Sequence, residues 1–496
     1  MPGDADAIVV GSGPNGLAAA VTLAAAGLRV HVIEGAASPG GGCRTEELTL
    51  PGFQHDVCSA GHPLALASPF FRRFDPAARG VRFAHPEVVY AHPLDGGRAA
   101  VVTRSVTETA AGLGRDEAAY RRLMQPLVDG GNAIADAVLS SMRRPPLPSR
   151  ALADYARLGL RSAAAVARRF QTEEARGLFA GVATHAMLPL TAPPTAGVGL
   201  LLGSLAHTVG WPVVSGGSAR LTDAMVAAVV ASGGQVETGR WVRSLADLPP
   251  APATLLDISP RAFLGLAGGR LPSRYRDALA RFRYGPGICK VDFALSGPVP
   301  WQNEAARRAG TLHLGGGFGE IAAAEAAVAR GDHPDSPYVL VVQAGVADPT
   351  RAPEGQHTLW AYCHVPAGST VDMTARIEAQ IERFAPGFTD LVLARHTRTA
   401  AQEEAMNPNY VGGDIACGMQ TVHQVLARPL IRWNPYRTPL RGVYLCSAAT
   451  PPGPAVHGRC GELAGLSALG DVFGVRSQPD LGTLRPSPAS GTQSQR

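Results

Sequence analysis

The chain has 496 residues, 46% of them hydrophobic and 17% charged, with 45 basic against 40 acidic side chains. A formal charge of +5 spread over that length excludes the basic stripe of a nucleic-acid binder, and no nucleic-acid motif is present. The absence of any run of about 18 apolar residues excludes a membrane-spanning helix, and the first residues lack the basic segment of a secretory signal.

The stretch 6–34, DAIVVGSGPNGLAAAVTLAAAGLRVHVIE, carries the strongest local pattern. Residues 7–10 are a short apolar strand, 16–27 an Ala- and Leu-rich helix former, and 29–33 a second apolar strand. Strand, glycine turn, helix and parallel strand make the βαβ unit that sets a helix N-terminus against a diphosphate. Gly11 permits the tight exit from the strand, Gly13 lets backbone N–H groups approach phosphate, and Gly16 allows close helix–strand packing. Glu34 ends the second strand, where an acidic side chain accepts hydrogen bonds from adenosine ribose hydroxyls. A second glycine turn, 40–42, precedes Arg44 and Thr45, and the Arg44 guanidinium is positioned to reinforce phosphate binding.

GSGPNG, Glu34 and GGGCRT together resemble the FAD-binding start of flavin amine oxidases and phytoene desaturases. TLPGFQHDVCSAGHPLALASPFF, GWPVVSGGSARL and GVYLCSAATPPGPAVHGRCGELAGLSAL resemble, more narrowly, the phytoene-dehydrogenase-related group known as pyridine nucleotide-disulphide oxidoreductase domain-containing protein 2. The likeness covers about residues 5–470. Its disulphide label does not suit this chain, whose seven cysteines (43, 58, 289, 363, 417, 446 and 460) form no C-x-x-C pair; reduced thiols in the cytoplasm are expected instead.

The resemblance implies an α/β fold with a discontinuous Rossmann-type FAD-binding domain, at 1–75, 212–288 and 430–475. A mixed-sheet and helical substrate domain is inserted at 76–211 and 289–429, and 476–496 form a disordered tail. It places Gly11, Gly13, Pro14, Asn15, Gly16, Glu34, Gly42, Arg44 and Thr45 on FAD, Val242 on the adenine, and Ser447, Val456, His457 and Gly458 near the ring. There a helix starting at about 456–458 stabilises negative charge on reduced flavin. Relatives carry three glycines where this chain has Gly453-Pro454-Ala455, and Pro454 removes an N–H from that loop. In the amine oxidases a lysine on the strand matching 285–301 holds a water near flavin N5, which assigns Lys290 a catalytic role. A surface lysine is the alternative reading.

Elsewhere, 88–102 reads as a hairpin and 116–170 as helical, broken by RRPPLP at 143–148. Arg150, Arg157, Arg161 and Arg168 fall within about 40° of helical arc, either as a solvated face or as a peripheral membrane contact. Residues 215–218 cap a helix running to about 231, and 235–245 form a strand, followed by strands at 253–258, 338–343 and 358–364 and a helix at 373–384. The apolar stretch 187–211 is core or the wall of a hydrophobic tunnel. His62 and His457 are further pocket candidates for a proton-transfer role, His457 being counted as catalytic, and the histidines show no metal-ligand spacing.

The expectation is an FAD-dependent oxidoreductase that dehydrogenates an apolar small molecule by hydride transfer to flavin N5, with oxygen or a quinone as electron acceptor. A redox-neutral flavin isomerase and a flavin-bound interaction protein remain open alternatives.

Overall fold

The computed structural model describes residues 5–140 and 149–484; the RRPPLP segment and the tail beyond 484 lie outside the described residues. A five-stranded parallel sheet forms in the order Val443–Leu445, Ala253–Leu256, Ala7–Val10, Val30–Ile33, Gln235–Glu237. Its strands come from three separate stretches of sequence, so the Rossmann-type unit is discontinuous. Val10 pairs with Ile33 on one side and Leu256 on the other, bringing Gly11, Glu34 and Asp257 to one carboxyl edge of the sheet, where ligands bind in open α/β folds.

Helix Pro14–Ala24 is buried along nearly its whole length, because it is covered by the sheet on one side and by helices Ala219–Ala231 and Arg459–Val472 on others. The approach to Arg459–Val472 is close enough that a Cβ on Gly461 would lie 1.7 Å from the Asn15 carbonyl oxygen.

The second sheet has seven strands in the order Val392–Arg398, Gly287–Leu295, His357–Val365, Val339–Val342, Ala309–Leu314, Val88–Pro93, Ala99–Val102. All neighbours are antiparallel except Val88–Pro93 with Ala309–Leu314. Successive side chains alternate between faces. Leu359, Ala361 and Cys363 pack with helix Thr374–Phe384 in one core, whereas Trp360 and Tyr362 join Leu340 and Val342 in another, beneath helices Glu173–Ala183 and Thr195–Thr208.

The units are tied by a buried charge network. Arg351 reaches Asp56 at 2.9 Å and Asp348 at 3.0 Å. Asp56 also accepts from Thr45 Oγ1 at 2.9 Å and from the Ser218 N–H at 2.8 Å, so the partners of these buried charges are supplied from both units.

Four expectations are corrected. The strand expected at 235–245 is only Gln235–Glu237: Gly239 turns the chain with φ +73, and Asp247 and Ser244 form a capping box. The arginine stripe is not one helix face. Helix Arg150–Gly159 ends before Arg161, and Ser162 caps a new helix, Ala163–Ala167, by accepting from the Ala165 N–H. The helix expected from about 456 begins at Arg459, after Gly458 at φ +68. The segment 476–484 is ordered by packing: Leu481 and Leu484 are buried, and Arg79 donates to their carbonyls at 2.8 and 2.7 Å.

Candidate active site

A continuous cavity of about 1080 Å³ is lined by residues of both units, just above the range of about 300–1,000 Å³ usual for ligand sites. At one end its wall includes Gly11, Gly13, Pro14, Asn15, Glu34, Gly42, Arg44 and Val242. The glycines are required by space. Gly11 has φ +93, a Cβ on Gly13 would stand 2.8 Å from Asp257 Oδ2, and one on Gly16 would stand 2.1 Å from the Gly11 oxygen. Gly16 itself is set back from the wall, its N–H donating to Asp257 Oδ2 at 2.8 Å.

Glu34 Oε2 accepts from the Ser12 N–H at 2.8 Å and from Ser12 Oγ at 2.6 Å, and Oε1 accepts from the Ala36 N–H at 2.8 Å. These bonds fix the carboxylate in place without using all of its lone pairs. Arg44 Nη2 contacts Met406 Sδ at 3.0 Å; its Nε, which faces the Glu46 carboxylate at 3.5 Å without a hydrogen bond, and Asn15 Oδ1 are buried with no hydrogen-bond partner. Such unsatisfied polar atoms at a glycine cradle are what a bound dinucleotide would engage. Trp241 covers Gly35 so closely that a Cβ there would meet the indole at 2.7 Å, which leaves a flat aromatic surface beside Val242 at the adenosine end.

Thr45 stands apart from the wall. Its hydroxyl donates to Asp56 and accepts from the Ala219 N–H at 3.1 Å, so it ties together two stretches of the Rossmann-type unit and does not face the cavity.

Midway along, Ser447, Pro451, Val456 and Arg428 reach the cavity. Ser447 Oγ donates to the Ile258 carbonyl at 2.7 Å. Ala455 has φ +97, so the loop keeps a backbone shape suited to glycine although it carries a Cβ there. His457 does not line the cavity. Its Nδ1 accepts from the Arg459 N–H at 3.0 Å and its Nε2 donates to the Gly453 carbonyl at 3.1 Å. Burial pushes its pKa down to about 4. Both nitrogens are committed to holding the loop, so the expected catalytic role is withdrawn. Gly458, likewise off the wall, is needed because a Cβ would meet Phe70 at 2.6 Å.

Sequence reasoning missed Arg428 and Asp257. Arg428 is buried, and its guanidinium donates to the carbonyls of Ala448, Gly418 and Gln424. Burial pushes its pKa down, yet it remains a cation facing the cavity. No local motif marks it. Asp257 follows strand Ala253–Leu256 directly, and the rule that ligands sit at strand carboxyl ends could have singled it out.

The far end is an aromatic chamber of Trp211, Trp360, Tyr362, His185, Leu340 and Val342. Residues 187–211 contribute Met187, Leu201 and Trp211 to the wall, so this stretch both lines the chamber and joins the core. Lys290 does not reach the cavity. Its ammonium is paired with Asp292 and lies 5.5 Å from the Trp360 ring centroid. Burial lowers its pKa while the Asp292 charge opposes that shift. The catalytic role expected beside flavin N5 and the surface alternative are both corrected: Lys290 is buried off the cavity wall, and a carboxylate two residues along the same strand face captures it. His62 does line the cavity. Ser218 Oγ donates to the Ser59 carbonyl at 2.5 Å, so it accepts from His62 Nε2 at 2.8 Å, leaving Nδ1 unprotonated.

Residues 9–74 match the family model described as an NAD(P)-binding Rossmann-like domain. The chain is 26% identical to pyridine nucleotide-disulfide oxidoreductase domain-containing protein 2 of Mus musculus and 25% identical to that of Rattus norvegicus, in each case over 94% of both chains. Among solved structures, a putrescine oxidase variant superposes with a TM-score of 0.61 at 18% identity, covering 95% of this chain and 99% of that one. An oxidoreductase from Methanosarcina mazei gives 0.60 at 17% over 93% and 99%. Cyclohexylamine oxidase from Brevibacterium oxydans gives 0.54 at 17% over 95% and 98%. The resemblance carried by the sequence motifs thus extends over nearly the whole chain, which shares the fold of these solved structures and has a cradle whose glycines, carboxylate and half-buried Arg44 fit FAD.

Proposed function

We propose that the protein is an FAD-dependent oxidoreductase that dehydrogenates a neutral, lipophilic small molecule. The observation that carries this reading is the continuity of the cavity, from the Gly11–Glu34 cradle to a chamber walled by Trp211, Trp360 and Tyr362. Bound FAD would supply the hydride acceptor. Arg44 would neutralise diphosphate charge, and Arg428 with the N-terminus of helix Arg459–Val472 would counter negative charge in the middle of the cavity. The aromatic walls would hold an apolar molecule and exclude water. Among the described lining residues only Glu34 and Asp257 are acidic, both at the nucleotide end, so the chamber offers no counter-ion for an ammonium and favours a neutral substrate over a cationic amine.

Purified protein should be yellow and release a chromophore with the mass of FAD. Glu34→Ala and Arg44→Ala should each be largely colourless. Undiminished colour in both would overturn the assignment of the cradle. Reoxidation assays with oxygen and with a soluble quinone would identify the acceptor.

A membrane-surface role fits the cavity mouth. Leu160, Val425 and Leu426 line the cavity yet are 59%, 44% and 58% exposed. Trp433 shares a small cleft with Leu426, and Arg150, Arg157 and Arg161 are exposed nearby in sequence to Leu160. Among the described residues no helix is long and apolar enough to cross a membrane, so the fitting contact is peripheral. The protein should co-sediment with vesicles containing anionic lipid, and Leu426→Ser with Trp433→Ser should reduce that binding severalfold. Equal binding by wild type and double variant would exclude this face as the contact.

A further inference from the structure

His185 and His313 meet in the chamber wall with Nε2 atoms 3.0 Å apart and rings nearly perpendicular, at 87°. A nitrogen–nitrogen contact of that length requires one proton between two neutral rings. Burial holds both neutral, pushing the pKa of His185 down to about 3 with help from His364, and that of His313 well below its usual value with help from His185 and His92.

Which ring donates follows from the surroundings. His313 is fully buried, and its Nδ1 has no hydrogen-bond partner. A proton on that atom would be a buried, unanswered donor, which costs more than an unanswered lone pair. His313 therefore carries its proton on Nε2 and donates it to His185. His185, accepting at Nε2, must carry its own proton on Nδ1.

His185 is half-buried and lines the chamber. Its Nδ1 is not among the buried atoms lacking a partner, and the hydrogen bond of its ring is the one to His313. The backbone behind it is held by Gln420, whose Nε2 donates to the carbonyls of His185 and Ala186 at 3.3 and 3.4 Å. Trp211 crosses it edge to face with centroids 5.6 Å apart. The result is a fixed, uncharged N–H donor in a chamber of mostly apolar and aromatic walls, where the Tyr362 hydroxyl and the Trp360 indole N–H, which has no hydrogen-bond partner, are further polar groups.

We infer that His185, oriented as its Nδ1–H tautomer by the positioning residue His313, determines specificity by binding the acceptor oxygen of a neutral lipophile, in the class of ketones and alcohols. This rests on reading the chamber as the substrate site. A largely apolar site with an oriented donor discriminates for a matching acceptor, because a ligand lacking one leaves the donor unpaired.

The test uses holoprotein and the pair cyclooctanone and cyclooctane, with binding followed by equilibrium dialysis. Wild type should prefer the ketone by about tenfold, the scale of one net hydrogen bond. His185→Phe should abolish the preference while retaining hydrocarbon binding. In ¹⁵N-histidine-labelled wild type, His185 should show a protonated Nδ1 whose resonance shifts with cyclooctanone and not with cyclooctane. That readout reports the tautomer set by His313 and needs no variant to fold. An unprotonated Nδ1, no ketone preference in wild type, or a preference that survives in His185→Phe would overturn the inference. Mass analysis of the released chromophore is scored separately: protein lacking FAD but showing the His185-dependent preference would refute the flavin reading alone, and protein with FAD but no such preference would refute this inference alone.

Discussion

Gly461→Ala should yield protein that has lost its flavin and is destabilised by about 3 kcal/mol or more. A Cβ at this position would stand 1.7 Å from the Asn15 carbonyl oxygen and 2.8 Å from the Ala19 nitrogen. Both obstacles are backbone of helix Pro14–Ala24, so no rotamer change relieves the overlap, and helix Arg459–Val472 must shift away. The shift pulls on both ends of the proposed cofactor site, since Asn15 lies in the glycine cradle and the loop before Arg459 carries Val456 to the cavity. The measurements are visible absorbance after purification and denaturant unfolding. Gly319→Ala is the control: this residue lies within helix Phe318–Arg330, and a methyl group there would meet nothing within 4 Å, so the change should stabilise by about 0.5–1 kcal/mol. Wild-type colour and stability in Gly461→Ala would show that the two helices do not depend on this contact.

How much was legible in the sequence follows the range of the interactions involved. The opening strand, glycine turn, helix and second strand are set by neighbours in the chain, and they fold as Ala7–Val10, Pro14–Ala24 and Val30–Ile33. The hairpin at 88–102 was legible for the same reason, with Tyr90 opposite Val102. Orientation of individual side chains was not. His457 falls in the segment that resembles a flavin contact, yet its ring turns to its own loop because the Gly453 carbonyl and the Arg459 N–H are nearer partners. Lys290 is on the cavity-side face of its strand, but Asp292 on the same face captures it. Thr45 follows Arg44, and strand alternation sends it toward Asp56 instead. Asp257 and Arg428 were missed because their significance lies in contacts far along the chain, Asp257 with Gly16 and Arg428 with Ala448. A single residue with a distant partner leaves no spacing pattern to read.

Asp257 leads to the second large effect, a pH dependence of FAD retention. Its half-buried carboxyl has a pKa raised to about 7, chiefly by burial, with the hydrogen bond from Gly16 pulling it down and the Glu34 charge pushing it up. The carboxyl occupies the cradle that would receive a diphosphate dianion, its Oδ2 within 2.8 Å of the Gly16 nitrogen. Below about pH 7 it is largely protonated and uncharged, so the anionic cofactor meets no repulsion from it. Above pH 7 it ionises in the empty protein, and binding FAD must either restore the proton or place two anions side by side. FAD affinity should therefore fall as pH rises from 7 to 9, approaching tenfold per unit, with uptake of up to one proton per FAD bound. Asp257→Asn keeps an oxygen that can accept from Gly16 and removes the titration. It should bind FAD with nearly constant affinity across this range, and at pH 9 it should bind more tightly than wild type by about tenfold or more. Titration of apoprotein with FAD in two buffers of different ionisation enthalpy measures both quantities. A wild-type affinity that is flat from pH 7 to 9, or a slope that persists in Asp257→Asn, would assign the cradle's charge balance to Arg44 and the helix N-terminus alone.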